Sequence, residues 1–370
     1  MKKRILVLGT GGTIASVPTE EGLKPGADVS ELLKCVPEVE SLCDLNMLQV
    51  MSIDSTNMLP ANWKILVENI EKYYEAYDGF LILHGTDTMA YTAAALSYMI
   101  QNSRKPIVLT GSQRPMEANR TDAKENIYQS IRYLIHEDAF GVNVVFADKV
   151  IPGGRARKNK SHSLEAFECV GDNCRAVFKD EKLFIFEKLQ RKDMDALDSK
   201  LRDSGYEDGF ECEEMVGIKD NLTSEEAYDW ENVRFYHNIE ENVLLWKIAP
   251  GMNPKMLLQL SDSFEAVVIE GFGLGGLPDT EGCAYFPVLE ELIQKGKTIA
   301  VTTQVSYEGT DMSVYEVGKK YKTQLAVMEA YNMTSEAAVT KLMWILGQTK
   351  EKETIKKLFV KTINRDLWKY

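Results

Sequence analysis

Long hydrophobic runs are missing from this chain. No segment approaches the roughly 18–20 uninterrupted apolar residues of a membrane span. The start, Met1-Lys2-Lys3-Arg4 followed by Ile5-Leu6-Val7-Leu8, imitates an export leader, but its apolar run stops at Gly9. A secretory core needs about 7–15 apolar residues, so the expectation is a cytoplasmic protein with no membrane contact. Cysteine pairs are missing too: Cys35, Cys43, Cys169, Cys174, Cys212 and Cys283 are scattered, with no CxxC, and reduced thiols are expected. The four histidines, at 84, 136, 162 and 237, show no zinc spacing, and no metal site is expected. Positive charge is short, with 43 Lys and Arg against 56 Asp and Glu, a net charge of −13. Phosphate binding needs a positive surface, so nucleic acid is an unsuitable partner. Neither nucleotide loop is present: the third glycine of a dinucleotide fingerprint would fall at Ile14, and there is no GK[ST]. No cofactor is expected.

What is present is ample core material. Apolar residues make up 44% of 370 positions and charged residues 27%, enough for two domains. Short apolar runs at 5–8, 48–53, 80–83, 107–110 and 142–146 lack polar alternation and read as strands buried on both faces, hence parallel. Helical patterns at 62–77, 88–100 and 122–136 lie between them. After Phe167 the pattern breaks, and between Asp193 and Glu231 14 acidic residues face 3 basic ones, which reads as a solvated linker or insertion. A second block follows, with strands at 243–248, 266–269 and 298–302 and helices at 335–346 and 351–359. The expected fold is α/β: a larger N-terminal doubly wound, mostly parallel sheet over 1–190, an acidic linker over 191–241, and a smaller C-terminal α/β domain over 242–370.

Ligands of open parallel sheets collect beyond the carboxyl ends of the strands. Four segments stand there: Gly9-Thr10-Gly11-Gly12-Thr13, Asp54-Ser55-Thr56-Asn57, His84-Gly85-Thr86-Asp87-Thr88 and Thr110-Gly111-Ser112-Gln113, dominated by hydroxyls and glycines. Read singly, Thr13 is a loop or capping threonine, and Thr86 with Asp87 the cap and first turn of a helix. Read together, they are hydroxyls at neighbouring strand ends. A hydroxyl is a weak nucleophile at neutral pH and needs an adjacent base, for which a buried lysine is one solution. The basic run Arg155-Ala156-Arg157-Lys158-Asn159-Lys160 could supply that lysine or could be a solvated charge run.

Gly11-Gly12-Thr13-Ile14-Ala15, His84-Gly85-Thr86-Asp87-Thr88-Met89 and Thr110-Gly111-Ser112-Gln113, in this order and spacing, resemble the signatures of the L-asparaginase family, and Asp54-Ser55 fits its substrate loop. The similarity covers nearly the whole chain except the acidic segment and is greatest to the cytoplasmic type I branch. It implies an L-asparagine amidohydrolase that releases L-aspartate and ammonia through a threonine acyl-enzyme, with glutamine as a possible slower substrate. Thr13 would be the nucleophile, and Thr86, Asp87 and Lys158 the Thr-Asp-Lys set that activates a hydroxyl or water. Asp87 would hold the substrate ammonium, Ser55 its α-carboxylate, and backbone N–H groups near Thr86 the oxyanion. Relatives form homodimers or homotetramers.

The chain departs from that pattern in one loop. Many relatives place a tyrosine in the lid that follows the first strand; here the matching position is Leu23, and residues 16–30 hold no tyrosine. Some type I-like relatives use a second-domain tyrosine instead, and Ser313-Val314-Tyr315-Glu316 resembles that segment, which makes Tyr315 a further catalytic candidate. Lys160 lies two residues from Lys158, and the spacing to Ala166-Phe167 favours Lys158. Two alternatives stand beside the hydrolase. One is the archaeal amidase component that supplies ammonia for tRNA-dependent amidation; it carries a domain ahead of the first strand, whereas here that strand begins at residue 4 or 5. The other is a binding module that kept the fold without activity, against which the intact Thr13, Thr86, Asp87 and Lys158 speak.

Overall fold

A computed structural model of the chain describes residues 2–19, 22–26, 28–187 and 232–367. The acidic stretch from Asp193, Cys212 and most of the expected linker lie outside the described residues.

Apolar runs at the predicted places form the parallel part of an eight-stranded sheet. Its order from one edge is Asp44–Ile53, Arg4–Gly11, Gly79–Leu83, Ile107–Thr110 and Val142–Phe146, all parallel. The side chains of Arg4–Gly11 alternate between two cores. Leu6 and Leu8 join one core with helices Pro60–Tyr73 and Met89–Met99, while Ile5 and Val7 join the other with Val29–Lys34 and Ala123–Leu134. Helices on both faces make the sheet doubly wound, as expected.

Two expectations need correction. The strand Asp44–Ile53 is the sheet edge and is half exposed along most of its length, not buried on both faces. Regular structure also continues after Val142–Phe146 and past Phe167: Lys149–Pro152, then Ala176–Lys179 and Lys182–Ile185, extend the far edge as antiparallel strands. These are four-residue strands with lysines among the apolar residues, so no long apolar run marks them.

The second sheet is parallel throughout, in the order Val243–Lys247, Ala266–Gly271, Thr298–Thr303 and Met328–Glu329. Helix Ser335–Gln348 joins it to the first half. Ala337, Ala338, Leu342 and Ile345 share a core with Met89–Met99, whose residues are almost all buried. No helix among the described residues is long and apolar enough to cross a membrane.

The chain runs from Arg4–Gly11 outward to Asp44–Ile53 and returns on the other side at Gly79–Leu83. The order therefore reverses at the first strand, and three of the four hydroxyl-rich loops leave the sheet side by side at that switch point.

Candidate active site

Two close backbone approaches bring these loops together. Gly12 has φ of +84°, and a Cβ there would stand 2.2 Å from Gly85 Cα. A Cβ on Gly85 would stand 2.7 Å from Ser55 Oγ. Only glycine fits either place, so the first and third strand-end loops touch through bare backbone with Ser55 at their side. The Gly12 N–H also donates to the carbonyl of Ile53 at 3.0 Å. Thr13 follows at once, opening the short 3-10 turn Thr13–Ala15, and no hydrogen bond among the described residues engages its hydroxyl.

The strand-end hydroxyls then sort by partner. Thr10 donates to the Leu83 carbonyl at 2.9 Å and Thr110 to the Val145 carbonyl at 2.7 Å; both are buried and tie neighbouring strands. Thr88 donates to the Ser55 carbonyl at 2.7 Å. Thr86 is different. Its hydroxyl donates to Gln113 Oε1 at 3.1 Å and accepts from Lys158 Nζ at 2.8 Å. The same ammonium lies 2.7 Å from Asp87 Oδ1. The Asp87 N–H donates to Ser55 Oγ at 3.2 Å, which leaves the Ser55 hydroxyl hydrogen to give elsewhere.

Thr86 and Lys158 take other places than a helix cap and a solvated charge run. The N-cap of helix Met89–Met99 is Thr88, without a side-chain cap bond, so Thr86 is not the cap. The basic run is not a solvated charge run either. Arg155 is 0% exposed and donates to the carbonyls of Asn332 and Arg365 at 2.7 Å and 2.5 Å. Lys158 ends the strand Ala156–Lys158 and points at Thr86, while Lys160 faces Glu165 and Glu168 at 3.9 Å and 3.8 Å.

His84 sets the loop from beneath, and its hydrogens can be assigned. The Trp63 indole N–H, which can only donate, meets Thr92 Oγ1 at 3.0 Å. The Thr92 hydroxyl then donates to His84 Nε2 at 2.9 Å, so the ring proton sits on Nδ1 and donates to the Gly85 carbonyl at 2.6 Å. Burial pushes the imidazole pKa down to about 4, against the opposing pull of that carbonyl. In a trans peptide the N–H points opposite to the C=O. With the Gly85 carbonyl turned to His84, the Thr86 N–H points the other way, and it meets no acceptor among the described residues.

The structure thus brings together Ser55, Thr86, Asp87 and Lys158, with Thr13 on the adjoining turn. It does not bring in Tyr315, which is 65% exposed ahead of helix Glu316–Leu325 and has no hydrogen bond to any of the five among the described residues. Leu23 lies in a ribbon of Ser16–Thr19 with Gly22–Pro25, and its side chain is outside the described residues. Gln113 and His84 stand in the strand-end segments, but no sequence signal marks their roles. Nothing in their residue type distinguishes them from neighbouring polar groups; only the partners do.

Comparison with known proteins agrees over nearly the whole length. A family model described as "Asparaginase, N-terminal" matches residues 4–191, and one described as "Glutaminase/Asparaginase C-terminal domain" matches 242–359. The chain is 32% identical to an L-asparaginase of Thermococcus kodakarensis over 97% of its own length and 98% of the relative's. It is 30% identical to a glutamyl-tRNA(Gln) amidotransferase chain of Pyrococcus abyssi, over 96% of this chain and 75% of that one. The solved structure of the thermostable L-asparaginase from Thermococcus kodakarensis superposes with a TM-score of 0.82 at 30% identity, covering 99% of this chain and 100% of that one.

Proposed function

Since this chain belongs to the asparaginase family, we propose that it hydrolyses the side-chain amide of L-asparagine to L-aspartate and ammonia, with Thr13 as the nucleophile. The observation that carries this reading is the placement of Lys158 Nζ, 2.8 Å from Thr86 Oγ1 and 2.7 Å from Asp87 Oδ1, beside the turn that holds Thr13. A hydroxyl that no hydrogen bond among the described residues engages sits on the turn beside an acid-base pair, as nucleophilic acyl transfer requires.

In this reading the Thr13 oxygen adds to the amide carbon, and the developing oxyanion is met by the Thr86 N–H, whose direction the His84 ring maintains. A preorganised donor of that kind is worth roughly 2.7–4 kcal/mol of barrier. Collapse breaks the C–N bond; the proton given up by the Thr13 hydroxyl ends on the leaving nitrogen, which departs as ammonia, and an ester on Thr13 remains. The Thr86 hydroxyl and Lys158, joined by a hydrogen bond, form the relay that takes a proton from the water hydrolysing that ester and returns one to Thr13 Oγ1 as the ester C–O bond breaks. Asp87 is half exposed, and only its Oδ1 is engaged by Lys158, which suits the carboxylate to pair with a substrate ammonium. Ser55 Oγ, already accepting from Asp87, gives its own hydrogen to the α-carboxylate. Tyr315 is left out of this set because no hydrogen bond among the described residues joins it to the others.

The test is ammonia release from L-asparagine and from L-glutamine by the wild type and by Thr13→Ala. We expect asparagine turnover that Thr13→Ala lowers by at least about 10³-fold, with glutamine slower, because one methylene shifts discrimination by about 1–3 kcal/mol. An unchanged rate for Thr13→Ala would remove the threonine acyl-enzyme. Faster glutamine turnover would instead favour an amidotransferase role like the one named for the Pyrococcus abyssi relative.

A further inference from the structure

Lys158 sits on a short ribbon whose geometry depends on what packs against it. Its two strands, Ala156–Lys158 and Phe167–Cys169, have three residues each, and an isolated pair of such strands is marginal in water. Its register places Lys158 opposite Phe167 and Arg157 opposite Glu168. Successive residues of a strand face opposite sides. One side therefore carries Lys158 and Phe167, whose ring packs on Phe146 with centroids 5.0 Å apart. The other side carries Arg157 and Glu168, which meet Glu336 and Tyr307 of the C-terminal half of the chain.

On that side Arg157 Nε lies 3.9 Å from Glu336 Oε1, in the first turn of helix Ser335–Gln348. The Glu168 carboxylate accepts from the Tyr307 hydroxyl and from Asn159 Nδ2 at 2.8 Å, and faces Lys160 Nζ at 3.8 Å. Asn159 and Lys160 are the two residues that follow Lys158, so Glu168 grips the chain as it leaves the lysine. Tyr307 is held close by its own backbone: a Cβ on Gly171, just beyond the ribbon, would stand 3.3 Å from the Tyr307 carbonyl. The residue is 55% exposed, so apolar burial does not explain its place, whereas a charge-assisted hydrogen bond does. That bond, and then the Asn159 amide, hold the Glu168 carboxyl below the ordinary carboxylate range, which keeps it an ionised acceptor at neutral pH.

We propose that Glu168, held by the Tyr307 hydroxyl, is a positioning residue that fixes Lys158 against Thr86 and Asp87 from the opposite side of the ribbon. This rests on the acid-base role of Lys158 proposed above. The C-terminal half then serves catalysis as the mount of the ribbon that presents the lysine. Misplacement of a reacting group by about 1 Å costs on the order of 10²-fold in rate, so loss of this mount should lower kcat and leave KM nearly unchanged.

The experiment compares Tyr307→Phe, Glu168→Ala, Glu168→Gln, the Tyr307→Phe/Glu168→Ala pair and Lys158→Met in the full chain, by kcat and KM for asparagine. Acylation of Lys158 by acetic anhydride, followed by peptide mass spectrometry, gives a second readout that needs no turnover. We expect Tyr307→Phe to lower kcat about 5- to 20-fold and Glu168→Ala about 10- to 100-fold, with KM within about twofold. Glu168→Gln, which keeps an oxygen for Tyr307 and Asn159, should recover most of the loss. Tyr307→Phe should add nothing in the Glu168→Ala background, because coupled residues are not additive. Acylation of Lys158 should rise several-fold in both single variants. Equal factors in both backgrounds, no recovery with glutamine, or unchanged kcat and unchanged Lys158 acylation would each overturn the proposal. Lys158→Met with wild-type turnover would instead defeat the catalytic reading of the lysine, while an inactive Lys158→Met beside unaffected Glu168 and Tyr307 variants would defeat only the mount.

Discussion

His84 is held in one tautomer by a chain of donors that begins at the Trp63 indole, and it has no room for a second proton: Nε2 accepts from Thr92, and Nδ1 already donates to Gly85. Its native pKa of about 4 lies below the 6.5 of an ordinary histidine. The unfolded chain therefore takes up the proton first as the pH falls. The stability owed to the neutral ring is complete above about pH 6.5, falls from there to about pH 4, and over that window amounts to about 3 kcal/mol. Urea unfolding of the wild type and of His84→Gln between pH 7 and pH 4 isolates this contribution, since other titrating groups are common to both. The stability gap between the two proteins should shrink toward pH 4. A gap that stays constant over the window would show that the ring does not titrate in this way.

Among the connecting elements, the turn at Gly12 unites two separate demands on one residue, a left-handed φ of +84° and a backbone contact 2.2 Å from where a Cβ would stand. Gly251 shares only the first, with φ of +82° and nothing within 4 Å. Gly251→Ala should thus cost about 1–2 kcal/mol of strain. Gly12→Ala should cost clearly more, and it should also lower turnover at temperatures where it remains folded, because it drives Thr13 away from the Thr86 loop. Denaturant midpoints and ammonia release on both variants check this; equal costs would mean that the Gly12–Gly85 approach yields easily. The same elements show what the sequence could reveal. Four of the five parallel strands were legible as unbroken apolar runs because burial on both faces leaves no polar alternation, and the loops at the strand ends as hydroxyl and glycine clusters; the edge strand Asp44–Ile53 showed only over 48–53, since that strand is half exposed. Lys149–Pro152, Ala176–Lys179 and Lys182–Ile185 were not, since short antiparallel edge strands mix lysine with apolar residues as loops do. Arg155 was illegible for a further reason: its acceptors Asn332 and Arg365 lie 177 and 210 residues away, and no local pattern records them. Thr86, Asp87 and Lys158 were legible only jointly, through order and spacing.

At the scale of the whole molecule, the two halves are joined by a shared core and by a fully buried ion pair within it. Lys341 on helix Ser335–Gln348 and Asp366 in the C-terminal tail are both 0% exposed, with Nζ 2.7 Å from Oδ2. The carboxylate also accepts from the Tyr98 hydroxyl at 3.0 Å, on helix Met89–Met99 of the first half, and from the Ile363 N–H at 2.8 Å. The ammonium gives a second bond to the Lys361 carbonyl at 2.5 Å. Burial pulls the Lys341 pKa down and Asp366 pulls it back, so the charge persists only through its partner. Such a pair is weak evidence of net stabilisation, because desolvation of both ions offsets their attraction, yet removing one partner strands the other. Lys341→Met should therefore destabilise the chain by about 3–5 kcal/mol. Lys341→Met combined with Asp366→Asn, which removes both charges, should recover a large part of that loss. Because Tyr98 belongs to one half and Lys341 to the other, the wild type should unfold in a single transition, and the single variant should unfold at lower denaturant without splitting it. Guanidinium titrations followed by circular dichroism and tryptophan fluorescence test both statements. A Lys341→Met cost below about 1 kcal/mol would mean that Tyr98 and the tail backbone satisfy Asp366 without the lysine.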